Sequence, residues 1–411
     1  MDSASPIRVV MSSYGSEGDS TPLIALARRM QDHGDHVTLL LEADGAAAAR
    51  DRGLDARALA GDLRAARAAA KPGSDPTLGM ARRHLADWAR QTRDAVEQAG
   101  ADAVLGSGLG AEAVQVAARA AGRPFVGVTM FPIVPTAEYS SPLALLAVPR
   151  SLNRATHRLI QHLLWSAFGH QLRPLCREWG MSLPRLSFEN HPTLCAASPT
   201  LLPESADWPS AARMVGDLRE APGDLDPDLA AFVERGPAPV YIGFGSMSVP
   251  DPDRVRDAVV GLARTRRVVF SPGWSGIEVA PGPNLHVIGH VSHDALFPRM
   301  GAVVHHGGAG TLHAAARAGV PQVIVPLGGD QAWWADRARD AGIADAPLSA
   351  AGLDAAALER AVATAESLRP RAHEVARAMI DEDGCGVVDR VLHRAAEAAG
   401  PAGGDAATGR A

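Results

Sequence analysis

The chain has 411 residues, 46% hydrophobic and 21% charged. That is enough for two domains of roughly 150–200 residues with substantial cores, and it excludes a disordered chain. A net charge of −6 provides no general basic surface and argues against nucleic-acid binding. Cys176, Cys195 and Cys385 are scattered and odd in number, without CxxC spacing. They point away from a disulfide framework or a cysteine zinc site and towards a reducing compartment. The first apolar run, 7–11, has strand length and no basic region before it, and no run of about 18 apolar residues follows. The expectation is a cytoplasmic protein, monomer or homodimer, with no stable membrane insertion.

In chain order, 7–11 reads as a buried strand, followed by a glycine-containing loop and a helix over 21–33. Pro22 is placed in that helix's first turn and Gly34 at its end. Strands follow at 37–41, 103–105 and 125–128, with a helix over 111–121. This β-α-β rhythm predicts a parallel sheet covered by helices on both faces. Residues 132–192 break the rhythm with Pro, His, Trp and a helix over 152–168. Such an insertion is suited to forming a substrate wall. The segment 195–198 returns to the sheet, and Pro222, Gly223, Asp224, Asp226 and Pro227 mark a linker.

The second half restarts the alternation. Strands are expected at 240–244, 268–270, 285–288, 302–304 and 323–325, and helices at 253–264, 311–318, 331–341 and 353–367. The fold class is therefore α/β, with two Rossmann-like doubly wound domains facing across a cleft.

The chemistry concentrates in His305-His306-Gly307-Gly308-Ala309-Gly310-Thr311, between an apolar strand and a helix. Glycines let backbone amides approach a ligand, and a helix N-terminus concentrates unpaired N–H groups with partial positive charge. Thr311 either caps the helix or offers its hydroxyl to a phosphate, and His306 adds a donor. The loop fits neither GxGxxG nor GxxxxGK[ST], which disfavours dinucleotide and P-loop roles. Downstream, Asp330-Gln331 follows the turn Pro326-Leu327-Gly328-Gly329 and opens a helix. An acid–amide pair can both accept from and donate to vicinal hydroxyls, while Asp330 is also a natural N-cap.

These motifs resemble the donor site of family 1 glycosyltransferases with the GT-B fold, especially bacterial antibiotic, macrolide and sterol-type enzymes. The resemblance implies an acceptor domain over 1–218 and a nucleotide-sugar donor domain over 236–370. Helices over 371–398 are expected to pack back towards the first domain, and 399–411 to form a disordered tail. It implies that His306, Gly307, Gly308, Ala309, Gly310 and Thr311 contact the donor diphosphate, together with Ser246 of Gly243-Phe244-Gly245-Ser246-Met247 and Ser16. Asp330 and Gln331 match the pair that holds the donor sugar. His290 and Val291 match the base-reading loop, with Trp274 beside the nucleoside or in the core. His293 is either part of that loop or a solvent-facing helix start. Trp333 and Trp334 serve helix packing or, for one of them, a sugar wall.

Ser12-Ser13-Tyr14-Gly15-Ser16-Glu17-Gly18-Asp19 resembles the GS-R-GD loop of the bacterial enzymes, which makes Asp19 the candidate general base. Glu17 stands where relatives often carry Arg. Plant-type relatives use a histidine instead, and none occurs before His33, so His157, His162, His170 and His191 are the alternatives. Ala314 replaces the glutamate that grips the ribose in many plant-type relatives, which favours dTDP over UDP. Phe131, Tyr139, Trp165, Phe168 and Trp179 cluster in an aromatic-poor chain and suit either a lipophilic acceptor or helix packing. The segment 152–168 alternatively rests on a membrane surface.

The implied activity is inverting, metal-independent transfer of a hexose or 6-deoxyhexose to a hydroxyl of a polyketide, macrolide, sterol or phenol. No cofactor beyond a dTDP- or UDP-sugar co-substrate is expected, and no metal. The alternatives are a nucleotide-sugar 2-epimerase on the same fold and a non-catalytic activator or binding protein.

Overall fold

The structure, a computed structural model, describes residues 5–69, 76–144, 148–184 and 188–400. Its first half comprises β1 (Arg8–Tyr14), α1 (Glu17–Asp32), β2 (His36–Leu41), α2 (Ala43–Asp51), β3 (Asp55–Ala58), α3 (Leu63–Ala68) and α4 (Thr77–Ala99). It continues with β4 (Ala103–Gly108), α5 (Ala111–Ala120), β5 (Phe125–Thr129), α6 (Asn153–Glu178), β6 (Thr193–Cys195) and β7 (Ala212–Met214). The strands form one parallel sheet in the order β3-β2-β1-β4-β5-β6-β7. β1 shows why the strands are nearly continuous in apolar residues. Val9 and Met11 join a core with residues of α1, whereas Val10 and Tyr14 join one with residues of α4 and α5. Both faces are therefore buried.

The second half comprises α7 (Pro227–Glu234), β8 (Val240–Gly243), α8 (Pro252–Leu262), β9 (Val268–Ser271), β10 (Leu285–Val287), α9 (His293–Leu296) and β11 (Ala302–His305). After these come α10 (Ala309–Arg317), β12 (Gln322–Ile324), α11 (Gln331–Asp340), α12 (Ala355–Ser367), α13 (Arg369–Ala378) and α14 (Gly384–Ala399). The second parallel sheet runs β10-β9-β8-β11-β12. In both sheets the strand order reverses beside the first strand, between β1 and β4 and between β8 and β11. Such switch points open crevices beyond the strands' C-terminal ends, where doubly wound folds bind ligands.

Several boundaries differ from expectation. α1 begins at Glu17 because Ser16 caps it and Asp19 closes a capping box, so Pro22 lies in the second turn, where it removes a helix hydrogen bond. α6 runs on to Glu178 through Pro174. α13 stays with the second domain, where Ala372 and Val375 pack with Leu312 and Ala316. α14 returns to the first domain, with Val388 and Leu392 in the core beside Leu23 and Ile24 of α1. The expected tail lies, after Gly400, outside the described residues. Among the described residues, no helix is long and apolar enough to cross a membrane.

Candidate active site

The loop after β11 is organised by its first histidine. His305 is fully buried, its Nε2 lies 2.8 Å from the Gln322 side-chain oxygen, and its Nδ1 accepts the Gly307 N–H at 3.1 Å. Nδ1 as acceptor leaves the proton on Nε2, which donates to Gln322. Burial pushes this ring down to about 3, so it stays neutral. Gly307 has φ of +93°, and a Cβ there would meet Ile324 and the Gln331 carbonyl at 2.9 and 3.0 Å. His306 lies between two other glycines, its ring 3.2 Å from a Cβ built on Gly245 and 2.4 Å from one built on Gly308. Its Nδ1 is buried with no hydrogen-bond partner among the described residues. Burial, with His293 adding, pushes its pKa down to about 4.

α10 starts at Ala309, so Gly308 is its N-cap and supplies no capping side chain. Thr311 is consequently inside the first turn and does not cap the helix. The first amides of α10 have no intrahelical partner, which makes this end an acceptor site for anionic oxygen. Ser246 follows β8, the strand paired beside β11, and is buried.

At the next loop, Asp330 is the N-cap of α11 by position but makes no capping bond. Its Oδ2 instead accepts the Trp334 indole N–H at 2.9 Å, and burial pushes the carboxyl up to about 6. The Gln331 side-chain oxygen accepts the Leu327 and Gly328 N–H groups at 2.7 and 3.0 Å, closing the preceding turn. Gln331 therefore has only its amide N–H groups to offer a ligand, not the acceptor the sequence also promised. Trp334 is core, whereas Trp333 is half-buried with its ring edge to Tyr139 at 5.6 Å.

Across the cleft, Ser16 is locked in the α1 capping box, its N–H donating to Asp19 Oδ2 at 2.8 Å. Two glycines make room for this carboxylate. A Cβ on Gly15 would fall 2.0 Å from Asp19 Oδ2, and one on Gly108, at the end of β4, 3.3 Å from Oδ1. Burial pushes Asp19 up to about 6, with Asp330 reinforcing the shift and the Ser16 N–H and Arg67 opposing it. Asp330, in the second domain, is thus near enough for its charge to act on Asp19.

Polar and cation–π contacts also bridge the cleft. Arg67 of α3 donates to the Ser246 carbonyl at 2.8 Å. Arg64 and Arg67 lie over the Trp274 ring, 5.5 and 5.6 Å from its centroid. His290 Nδ1 pairs with Glu17 Oε1 at 2.9 Å.

The residues expected at the nucleoside are placed as follows. The His290 imidazole is hydrogen-bonded to Glu17 through Nδ1, which raises its pKa, while the faces of this exposed ring stay open. Trp274 carries two guanidinium groups instead of bordering the core. Val291 leans on the apolar cluster that contains Ala314. His293 is not solvent-facing: it stacks on Phe297 at 4.3 Å, and burial takes it down to about 4.

The aromatics of 132–192 divide as well. Phe168 is 1% exposed and packs with Trp88 and Leu172 in the first domain's core, so it cannot line an acceptor pocket. Trp179 also packs on that core, under Arg93. Phe131 and Tyr139 belong to the cluster where the two domains meet. Trp165 is half-buried on α6. Of the alternative bases, His157 is buried with Nε2 3.2 Å from the Tyr139 carbonyl, and His191 packs on Phe125. Burial lowers the pKa of both, while His162 and His170 are exposed.

Two groups were not anticipated. Arg67 sits in α3 with no motif around it. Glu112, in the first turn of α5, has a carboxyl pushed up to about 7 by burial and an Oε2 without a hydrogen-bond partner among the described residues. An acidic residue in a first turn is so common that nothing in the sequence marks this one.

Comparison with known proteins bears on this geometry. A family model described as the erythromycin biosynthesis protein CIII-like C-terminal domain matches residues 274–389. The vancomycin aglycone glucosyltransferase of Amycolatopsis orientalis is 32% identical over 410 residues, covering 94% of this chain and 97% of that protein. A sterol 3-beta-glucosyltransferase of Arabidopsis thaliana is 29% identical over 411 residues, and the match spans 92% of this chain and 64% of the plant protein. Among solved structures, the glycotransferase of kitacinnamycin superposes with a TM-score of 0.71 at 19% identity, covering 95% of this chain and 99% of that one. The calicheamicin glycosyltransferase CalG4 gives 0.70 at 17% identity, covering 96% and 100%. The glycosyltransferase VinC, solved in complex with dTDP, gives 0.62 at 21% identity, covering 95% and 100%. The two parallel sheets with facing switch points are the GT-B architecture, and the chain belongs to the glycosyltransferase family that includes the vancomycin aglycone glucosyltransferase.

Proposed function

We propose that this enzyme transfers a hexose or 6-deoxyhexose, with inversion and without a metal in the chemistry, from a nucleoside diphosphate to a hydroxyl of a small lipophilic acceptor. The observation that carries the reading is the opposition of Asp19, at one switch point, to the His306 loop and Asp330 at the other. Asp19 takes the acceptor's hydroxyl proton as its oxygen bonds the anomeric carbon, and the bond from that carbon to the diphosphate oxygen breaks on the opposite face. Charge developing on the leaving diphosphate meets the α10 amides, the His306 N–H and the Ser246 and Thr311 hydroxyls. The nucleotide sugar is the co-substrate, and no further cofactor enters.

The dTDP preference is supported by Ala314, which gives a ribose 2′-hydroxyl no carboxylate partner, and by the nucleotide bound in the VinC structure. Acceptors such as polyketides, macrolides, sterols or phenols are favoured by the names of the relatives and by the half-buried Phe131 and Trp333 at the domain junction. The test begins by comparing dTDP with UDP in a thermal-shift assay. Mass spectrometry of reactions with an acceptor library follows. Asp19→Asn should keep dTDP binding and lose transfer; unaltered transfer refutes the base assignment.

A further inference from the structure

We propose that Asp35, Asp389 and His393, with His33 beside them, bind one zinc-like divalent ion that pins the C-terminal helix to the first domain. The four residues come from two places. His33 and Asp35 flank Gly34, whose φ of +99° makes the reversal between α1 and β2. Asp389 and His393 are one turn apart on α14 and so share a face.

One ligand atom from each of Asp35, Asp389 and His393 lies within 4.8 Å of the others. His393 Nε2 is 3.1 Å from Asp35 Oδ2 and 3.5 Å from Asp389 Oδ1, while Asp389 Oδ2 is 3.3 Å from His33 Nδ1. Ligands about 2.0–2.1 Å from a tetrahedral ion stand about 3.3 Å apart, close to the 3.1 and 3.5 Å that separate His393 Nε2 from the two carboxylates.

A second observation points to a ligand. Asp389 is 8% exposed, yet its Oδ1 has no hydrogen-bond partner among the described residues and is directed at His393. A buried carboxylate oxygen is ordinarily satisfied. Asp35, 4% exposed, has its Oδ1 fixed by the Ile7 N–H at 2.9 Å, which leaves Oδ2 for the site. That is how outer hydrogen bonds orient a metal-binding carboxylate. Two carboxylates balance a dication, and two imidazoles select zinc, cobalt or nickel over magnesium or calcium. The consequence is structural: the ion fastens the helix that carries Val388 and Leu392 into the first domain's core.

The test uses the full chain, stripped with a chelator and titrated with Zn2+ against a chromophoric competitor, with Co2+ absorption reporting geometry. One equivalent per chain is expected, with tetrahedral-intensity cobalt bands and a rise in Tm on zinc addition. His393→Gln should abolish binding, and His33→Ala, at a side chain 54% exposed, should weaken it about tenfold. His306→Ala should leave zinc binding unchanged. Absence of saturable zinc binding by the wild type overturns the proposal, since the cluster is then only a His393 ion pair. Binding untouched in His33→Ala and His393→Gln also overturns it. Should His393→Gln not fold, the His33→Ala affinity decides alone.

Discussion

Gly15→Ala tests the base without altering the carboxylate. Gly15 is outside the left-handed region, so an alanine backbone fits, but its Cβ would fall 2.0 Å from Asp19 Oδ2 and 2.4 Å from Cγ. Real Cβ atoms essentially never come closer than 3.0 Å to a neighbour, so Asp19 must shift by about 1 Å, and a displacement of that size costs roughly 100-fold in rate. The same movement breaks the hydrogen bond to the Ser16 N–H, costing about 1 kcal/mol of stability. The assay is steady-state transfer with donor and acceptor varied in turn. kcat should fall by roughly 100-fold while the donor KM stays near wild type, because the donor loops are untouched. Gly18→Ala is the matched control, since its Cβ meets nothing closer than Ser16 Oγ at 3.8 Å. It should leave kcat unchanged and stabilise α1 by about 0.5–1 kcal/mol. A Gly15→Ala enzyme within threefold or so of wild-type kcat would show that the position of Asp19 does not limit the reaction.

Three further outcomes follow from the same geometry. Asp19 must be ionised to act, so kcat/KM should fall about tenfold per unit as pH drops below about 6; a flat profile there contradicts the assignment. Because the folded-state pKa is raised, Asp19 favours folding below its ordinary 3.8, and that advantage is lost as pH rises through about 6. Asp19→Asn should therefore be more stable than wild type at pH 8, by at most about 3 kcal/mol, and no more stable at pH 3, as urea titrations would show. His306→Ala removes a donor at the leaving diphosphate and should cost roughly 100-fold or more in kcat, with rapid-quench measurement of the chemical step as the check.

The fold was legible wherever burial is two-sided. β1, β2, β5, β8 and β11 are short apolar runs because helices cover both faces of each sheet, and the strand order places their C-terminal ends at the cleft. The stretch 42–102 was not legible. It holds α2, β3, α3 and α4, in sequence so rich in alanine and arginine that the buried and exposed faces contrast weakly. α4 is recognisable only through the burial of Met80, Leu85 and Trp88. The strand-to-helix turn at 305–311 was legible because its glycine spacing encodes the backbone, whereas the Ser16–Asp19 capping box was not read and the helix was expected four residues later. The site was not legible where a side chain reaches across from the other domain. Arg67 lies 179 residues from Ser246, and no local pattern records that meeting.

The exchange at Glu17 illustrates how far such contacts can reshape a motif. Considered by itself, an acid where relatives often carry arginine removes a cation near the diphosphate and suggests a weakened donor site. The structure supplies a partner: Glu17 is bonded to His290, in the loop that the resemblance matches to base reading. The hydrogen bond from His290 holds the Glu17 carboxyl below its ordinary range, and in return raises His290. A histidine raised by its partner across the cleft strengthens that contact at low pH and ceases to do so as pH rises through its folded-state value. Both side chains are well exposed, at 62% and 44%, so the pair is worth under about 1 kcal/mol, or less than fivefold or so in any affinity coupled to it. Glu17→Gln should accordingly change the dTDP Kd by less than about fivefold and blunt its rise with pH. Isothermal titration with dTDP at acidic and alkaline pH measures both. A tenfold or larger loss would mean that Glu17 touches the donor itself, not merely the histidine opposite.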